Sequence, residues 1–356
     1  MIKDIAAPIT AFIASFLIVI LLHPQLVKLA LRKDIVDKPN ARRLNRTPIP
    51  VLGGIGVFVA FIIGIFICAA TFSITLPVVC LTAMATMLAV GLMDDIKDLK
   101  PKTKFIIQAC IIAIIIFVCD MKIDNLHGIL GVYTLPDYIS IPLTLFACVG
   151  LINSINLIDG IDGLSSGYAI AASIMFFIFG QVQGNITNII ISASLIGALI
   201  PFFTYNVFGK KNKMFIGDSG SHFLGIAFCI LTLKTLNSNN AMNITIDNSV
   251  ATFCLAVMAH PVMDTLRVMT MRICNGNSPF KADKTHLHHA IINMGVSHLA
   301  TTLIIISLNM AVVVIWYATF AAGLSANIQF IATLLSSILF IVTPYYIITN
   351  IKAKKA

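Results

Sequence analysis

The stretch Asn153-Ser154-Ile155-Asn156-Leu157-Ile158-Asp159-Gly160-Ile161-Asp162-Gly163 sets two amides and two carboxylates between almost wholly apolar runs, 139–151 before it and 164–179 after it. Apolar runs of this kind cross a bilayer as helices, because about 20 residues at 1.5 Å each match a hydrocarbon core about 30 Å thick. A carboxylate at that depth is costly, so an aspartate there is a functional candidate by default. Asp159 and Asp162, three apart, share one face if the segment is helical. The plainer alternative is a helix cap followed by a turn residue, which accounts for one aspartate but poorly for both acids with Asn153 and Asn156. Gly160 and Gly163 permit a sharp turn or a close approach of backbone to a ligand.

The chain as a whole has the same character: its 356 residues are 58% hydrophobic and 11% charged, with a mean hydropathy of +0.96. That excludes a soluble globule and predicts an all-α, polytopic helix bundle in a lipid bilayer, read as a single domain over 1–356. Runs long enough to cross lie near 6–22, 52–72, 76–93, 105–120, 138–157, 164–181, 186–205, 219–235, 250–269, 300–320 and 328–350, an expectation of about eleven spans. The first run follows Lys3 with no small-residue cleavage site and reads as a retained span. The eight cysteines sit mostly inside the runs, with no C-x-x-C spacing, and read as free thiols on helix surfaces. All fifteen acidic residues are Asp, for which we have no physical account.

A net charge of +9 raises the question of nucleic acid, but its distribution follows the membrane instead. Every Lys and Arg except Lys3, Lys122 and Lys234 falls on alternate loops or the C-terminal tail. By the positive-inside rule those loops and the tail are expected to be cytoplasmic and the N-terminus outside. The same assignment puts Asp94-Asp95, the 153–163 stretch, Asp218 and the Asp264–His289 segment on the cytoplasmic rim.

Asp94-Asp95-Ile96-Lys97-Asp98 closes the third span. Adjacent carboxylates there either repel at a solvated helix end or share a cation. Phe215-Ile216-Gly217-Asp218-Ser219-Gly220-Ser221 carries one acid among small residues at the head of a span. Capping explains it in part. A hard-cation site explains it further, since Mg²⁺ takes one or two carboxylates and completes its octahedron with water and phosphate oxygens. Asp218 with an amide such as Asn156 would suffice. Arg272 and Ser278-Pro279-Phe280-Lys281-Ala282-Asp283-Lys284-Thr285-His286-Leu287-His288-His289 gather cations and imidazoles in an inner loop. Zinc is the alternative, but no Cys or acid stands at zinc-ligand spacing, and donors for a diphosphate fit better. His23, His127, His222, His260 and His298 are taken as packing or surface residues. Acids for a metal and cations for phosphates on one rim imply a reaction between a phosphorylated cytosolic substrate and a lipid.

These motifs, in order and with Asp37-Lys38-Pro39-Asn40-Ala41-Arg42-Arg43, Pro48-Ile49-Pro50 and Gly53-Gly54 ahead of them, resemble the polyprenyl-phosphate N-acetylhexosamine-1-phosphate transferases over roughly residues 30–295. The resemblance implies an integral membrane enzyme that moves a sugar-1-phosphate from a UDP-sugar to a polyprenyl phosphate and releases UMP, using Mg²⁺ or Mn²⁺. It implies that Asp218, with Asn156, holds the metal, that Asp94, Asp95, Asp159 and Asp162 are catalytic, and that Lys38, Arg42, Arg43, Asn153, Arg272, His286, His288 and His289 contact substrate. The 278–289 segment looks like the branch that uses UDP-N-acetylglucosamine and undecaprenyl phosphate in initiating cell-envelope polysaccharides. Multi-pass placement in a bacterial inner membrane follows, with the site on its cytoplasmic face and a homodimer among the expected arrangements. Asn45 departs from the pattern, since relatives often carry His after the basic pair, which puts a catalytic role there in doubt. Two alternatives stay open at this stage: the muramoyl-pentapeptide branch of the same family, and an Asp-lined transporter, against which stand the one-sided acids and the lack of repeated halves.

Overall fold

The structure, a computed structural model, describes residues 2–37, 48–73, 77–238, 244–279 and 284–353. The described residues are mostly helical, and among them ten helices are long and apolar enough to cross a membrane. Helices cross because each satisfies its own backbone in lipid. The described residues fall into two compact units, Met1–Met121 with Ser165–Lys234, and Lys122–Leu164 with Thr235–Ala356.

In the first unit α1 (Ile2–Arg32) leads into a short antiparallel pair, β1 (Val36–Asp37) with β2 (Ile49–Pro50). Then follow α2 (Gly53–Phe72), α3 (Val78–Lys97) and α4 (Pro101–Cys119). After α5 (Asp137–Leu157), which belongs to the second unit, come α6 (Leu164–Gln183), α7 (Ile186–Phe208) and α8 (Gly217–Leu236). Small residues set the helix contacts, as expected where packing, not water, drives association. Ser15 Oγ lies 2.7 Å from Ser194 Oγ, which donates to the Phe61 carbonyl at 3.0 Å. Helix α8 is apolar on every side, and Phe223, Leu224, Ile226, Ala227, Phe228, Cys229, Ile230 and Leu231 have no exposed surface. A helix of that kind can only be the core of its unit.

The second unit holds α5, then α9 (Ile244–Asp247), α10 (Val250–Val257), α11 (Ala259–Cys274), α12 (Leu287–Ile292), α13 (His298–Ala321), α14 (Ala326–Ser337) and α15 (Thr343–Ala353). The run expected to cross at 250–269 is broken at Met258 into α10 and α11. Pro261 is the cause: lacking an N–H, it cannot bond the Val257 carbonyl. Asn309 of α13 covers the break, donating to that carbonyl at 3.2 Å and accepting the His260 N–H at 2.8 Å. Pro344 acts alike, and a π turn at Ile338–Val342 joins α14 to α15.

Candidate active site

In the first unit the glycine motifs bring three helices to backbone contact. Gly53 and Gly54 donate to the Phe215 and Ile216 carbonyls at 3.0 and 2.8 Å, and Phe215 N–H donates to Pro50 at 2.8 Å. A Cβ on Gly54 would run into Gly220, and one on Gly91 into the Asp218 carbonyl and Ser219. That closeness delivers the end of α3 to the start of α8. Gly217, at φ +73°, makes the turn that begins α8.

Asp95 caps α8 from α3: one carboxylate oxygen accepts the Asp218 N–H at 2.8 Å, the other the Ser219 N–H at 3.0 Å. These are amides that a helix start leaves without intrahelical partners, and the dipole there favours the negative charge. Asp94 is buried, pairs with Lys104 Nζ at 2.6 Å and accepts the Leu99 N–H at 2.8 Å. Asp218 is half-buried on the first turn of α8. His222 Nδ1–H donates to the Asp218 carbonyl at 2.8 Å, and its Nε2 is buried with no hydrogen-bond partner. Lys104 and His222 thus join three aspartates, and neither was singled out from sequence. His222 stands four residues after Asp218, a spacing that gives the signal in retrospect.

In the second unit α5 ends at Leu157, so 158–163 is a turn and helical spacing does not put Asp159 and Asp162 on one face. The glycines are the reason: Gly163 takes φ +81°. The Asp159 N–H donates to the Asn156 carbonyl at 3.2 Å, and Asn153 Nδ2 donates back to Val149 at 2.7 Å. Asp162 Oδ2 accepts His298 Nδ1–H at 2.8 Å, giving a role to a histidine read as packing. A side chain at Gly160 would collide with the His288 ring, so this stretch and the His-x-His-His segment are in contact.

That segment is held from α11. Asp264, fully buried, accepts Arg267 Nη2–H at 2.6 Å and His286 Nδ1–H at 2.8 Å. Arg267 also donates to the Thr285 carbonyl at 2.7 Å and stacks 3.7 Å from the Tyr345 ring centre. Asp264 and Arg267 were not foreseen as site residues; an Asp-x-x-Arg pair inside an apolar run was the available signal. The rings of His286 and His288 lie nearly parallel, 5.7 Å apart, with His289 4.2 Å beyond. Nε2 of His286 and both ring nitrogens of His288 are buried without partners. Burial, then the positive charge of His289 and His286, pushes the His288 imidazole well below its ordinary pKa, so it is neutral. Arg272 is buried and donates to the Pro279 carbonyl at 2.6 Å. Lys38, Arg42 and Arg43 lie outside the described residues.

Asp218 belongs to the first unit and Asn156 to the second. Around Asp218 the side-chain donors are carboxylate oxygens, the chemistry that suits Mg²⁺. Among the described residues no three or more His, Cys or Asp side chains gather to hold a metal by themselves. The first unit's donor set therefore fits a cation held by one or two carboxylates and completed by phosphate and water.

The profile described as glycosyl transferase family 4 matches residues 77–236. A "Probable undecaprenyl-phosphate N-acetylglucosaminyl 1-phosphate transferase" of Bacillus subtilis (strain 168) is 29% identical over 336 residues, 94% of this chain and 88% of that protein. The undecaprenyl-phosphate alpha-N-acetylglucosaminyl 1-phosphate transferase of Salmonella typhi is 30% identical over 277 residues, 75% of this chain and 72% of the relative. The decaprenyl-phosphate N-acetylglucosaminephosphotransferase of Mycobacterium tuberculosis (strain CDC 1551 / Oshkosh) is 30% identical over 325 residues, 85% and 78% of the two chains.

Proposed function

The chain belongs to the polyprenyl-phosphate N-acetylhexosamine-1-phosphate transferases of glycosyl transferase family 4, and on that premise we propose that it transfers N-acetylglucosamine-1-phosphate from UDP-N-acetylglucosamine to undecaprenyl phosphate, releasing UMP. The site works at the cytoplasmic face of a bacterial inner membrane, where the basic loops also draw in an anionic nucleotide sugar, at about 1 kcal/mol per Lys or Arg near an anionic surface. The observation that carries the reading is the carboxylate cluster built where α3 meets α8, with Lys104 beside it.

The lipid phosphate, mostly dianionic at pH 7, needs little proton abstraction. One of its oxygens attacks the sugar-bearing phosphorus, a new P–O bond forms, and UMP leaves with the electrons of the old one. Lys104, paired with Asp94, offers the incoming phosphate a cation at the cluster. Asp95 fixes the first turn of α8 and so the position of Asp218. Arg272 and the imidazoles of His286, His288 and His289 bind the nucleotide sugar, with Asp159 and Asp162 on the adjoining turn. Mg²⁺, or Mn²⁺ in its place, would be held by Asp218 and would neutralise charge on the diphosphate.

The test is UMP release from purified protein in detergent with undecaprenyl phosphate and UDP-N-acetylglucosamine. Wild type is expected to turn over only with Mg²⁺ or Mn²⁺, and Asp218→Asn to lose at least about 100-fold, the scale of a lost electrostatic stabiliser. Folded protein that is silent with this donor but active with the muramoyl-pentapeptide nucleotide would overturn the donor assignment.

A further inference from the structure

The Asp264–His286 contact carries an inference that rests on the transferase reading and deepens it. Asp264 has no exposed surface, and its bonds go to Arg267 on its own helix and to the start of α12. Its oxygens take Arg267 Nη2 and Nε at 2.6 and 3.2 Å, His286 Nδ1 at 2.8 Å and the Leu287 N–H at 3.3 Å. A carboxylate only accepts, so the His286 nitrogen facing it carries the proton. That fixes the ring's orientation and leaves Nε2 pointing away, buried and without a partner. Arg267 is consumed in the same arrangement by Asp264, the Thr285 carbonyl and the Tyr345 ring. It braces the loop and has no fork left for substrate.

We propose that Asp264 is a positioning residue, which through Nδ1 of His286 fixes the Nε2 of that ring as a hydrogen-bonding group for a phosphoryl oxygen of the nucleotide sugar. With Nδ1 held on Asp264, Nε2 is the ring nitrogen of His286 left to meet a phosphoryl oxygen. His288, packed over Gly160 and lacking any such carboxylate contact, stays neutral beside it. Two adjacent imidazoles of the same motif therefore have different tasks: His286 meets charge, and His288 fills the space over the acidic turn.

Donor-dependent UMP release is measured for wild type, Asp264→Asn, His286→Gln and the double variant, each checked for a cooperative melt. Asp264→Asn is expected to lower kcat/KM for the nucleotide sugar by roughly 10- to 100-fold, the range seen when a carboxylate behind a working imidazole is removed. KM for the lipid phosphate is expected to stay within about twofold of wild type, and the double variant to be no worse than His286→Gln, because Asp264 acts through that ring. Independent losses that multiply in the double variant, or a folded Asp264→Asn of wild-type efficiency, would overturn the proposal. Should Asp264→Asn fail to fold because Arg267 is left unpaired, Asp264→Asn with Arg267→Gln removes both charges and is read in its place. A substrate-free readout separates this proposal from the transferase reading: ¹⁵N shifts of the His286 ring are expected to show Nδ1 protonated in wild type and to change in the Asp264 variant. Unchanged shifts sink the positioning role even if turnover is found, whereas changed shifts with no turnover fault only the choice of donor.

Discussion

Both carboxylate oxygens of Asp95 accept backbone N–H groups of α8, so its removal is first of all the loss of a cap. Asp95→Ala is expected to lower unfolding stability in detergent by about 1–2 kcal/mol, and Asp95→Asn, which keeps one accepting oxygen, by about half that; thermal melts of the two variants check the order. His288 gives a pH dependence with a definite sign. Its native pKa is depressed, by burial first and then by the charge of His289 and His286, while an unfolded histidine titrates near about 6.5. Its contribution to stability is thus complete above that value and lost as pH falls toward the native pKa, at up to about 1.4 kcal/mol per pH unit. Wild type is expected to lose melting temperature between pH 7.5 and 5 more steeply than His288→Leu; parallel curves would count against a buried neutral ring. Gly160→Ala, whose methyl group meets that ring, is expected to cut UMP release by more than about tenfold in a protein that still folds.

Between elements, glycine decides how near two helices come. A methyl group at Gly91 meets α8 backbone at Asp218 and Ser219, whereas one at Gly150 on α5 meets no atom within 4 Å. Gly91→Ala is expected to cost about 1–3 kcal/mol by overpacking and to reduce activity with it, because the acids of α3 and α8 move apart. Gly150→Ala is expected to cost nothing or to gain up to about 1 kcal/mol; melts and UMP release on the pair check both. The helices themselves were legible, since each long apolar run has one stable way to cross lipid, and the acidic motifs were legible because charge at that depth stands out. Residues whose role lies in an ion pair were not: Lys104 reads as one more loop lysine until Asp94 is beside it, and His298 as a surface residue until Asp162, far along the chain, faces it. The break at Met258 carried a readable mark in Pro261, but the residue that makes it tolerable, Asn309, is 52 positions from the carbonyl it covers. Helical spacing failed at Asp159 and Asp162 because a glycine turn replaced the helix there.

For the whole molecule, the arrangement of charge makes a claim that the helices alone do not. Every described Lys and Arg except Lys3, Lys122 and Lys234 lies on loops that alternate along the chain, on the helix segments flanking those loops, or in the C-terminal segment, and basic loops are retained on the cytoplasmic side. Cys274 ends α11 in such a loop and is exposed, while five of the other cysteines are buried, Cys110 is exposed partway along the apolar α4 and Cys119 is partly covered. A membrane-impermeant maleimide should therefore label Cys274 in inverted vesicles and not in intact spheroplasts, with the signal lost in Cys274→Ser. Tyr133, exposed in the 120–136 segment on the opposite side of that scheme, supplies the matching control as Tyr133→Cys, labelled in spheroplasts. The two sites are expected to give opposite patterns, because an odd number of crossings separates them if α10 and α11 together make one passage. If both label from the same side, the broken pair does not cross, and the acidic turn after α5 and the histidine segment after α11 could not both be reached by one cytosolic substrate.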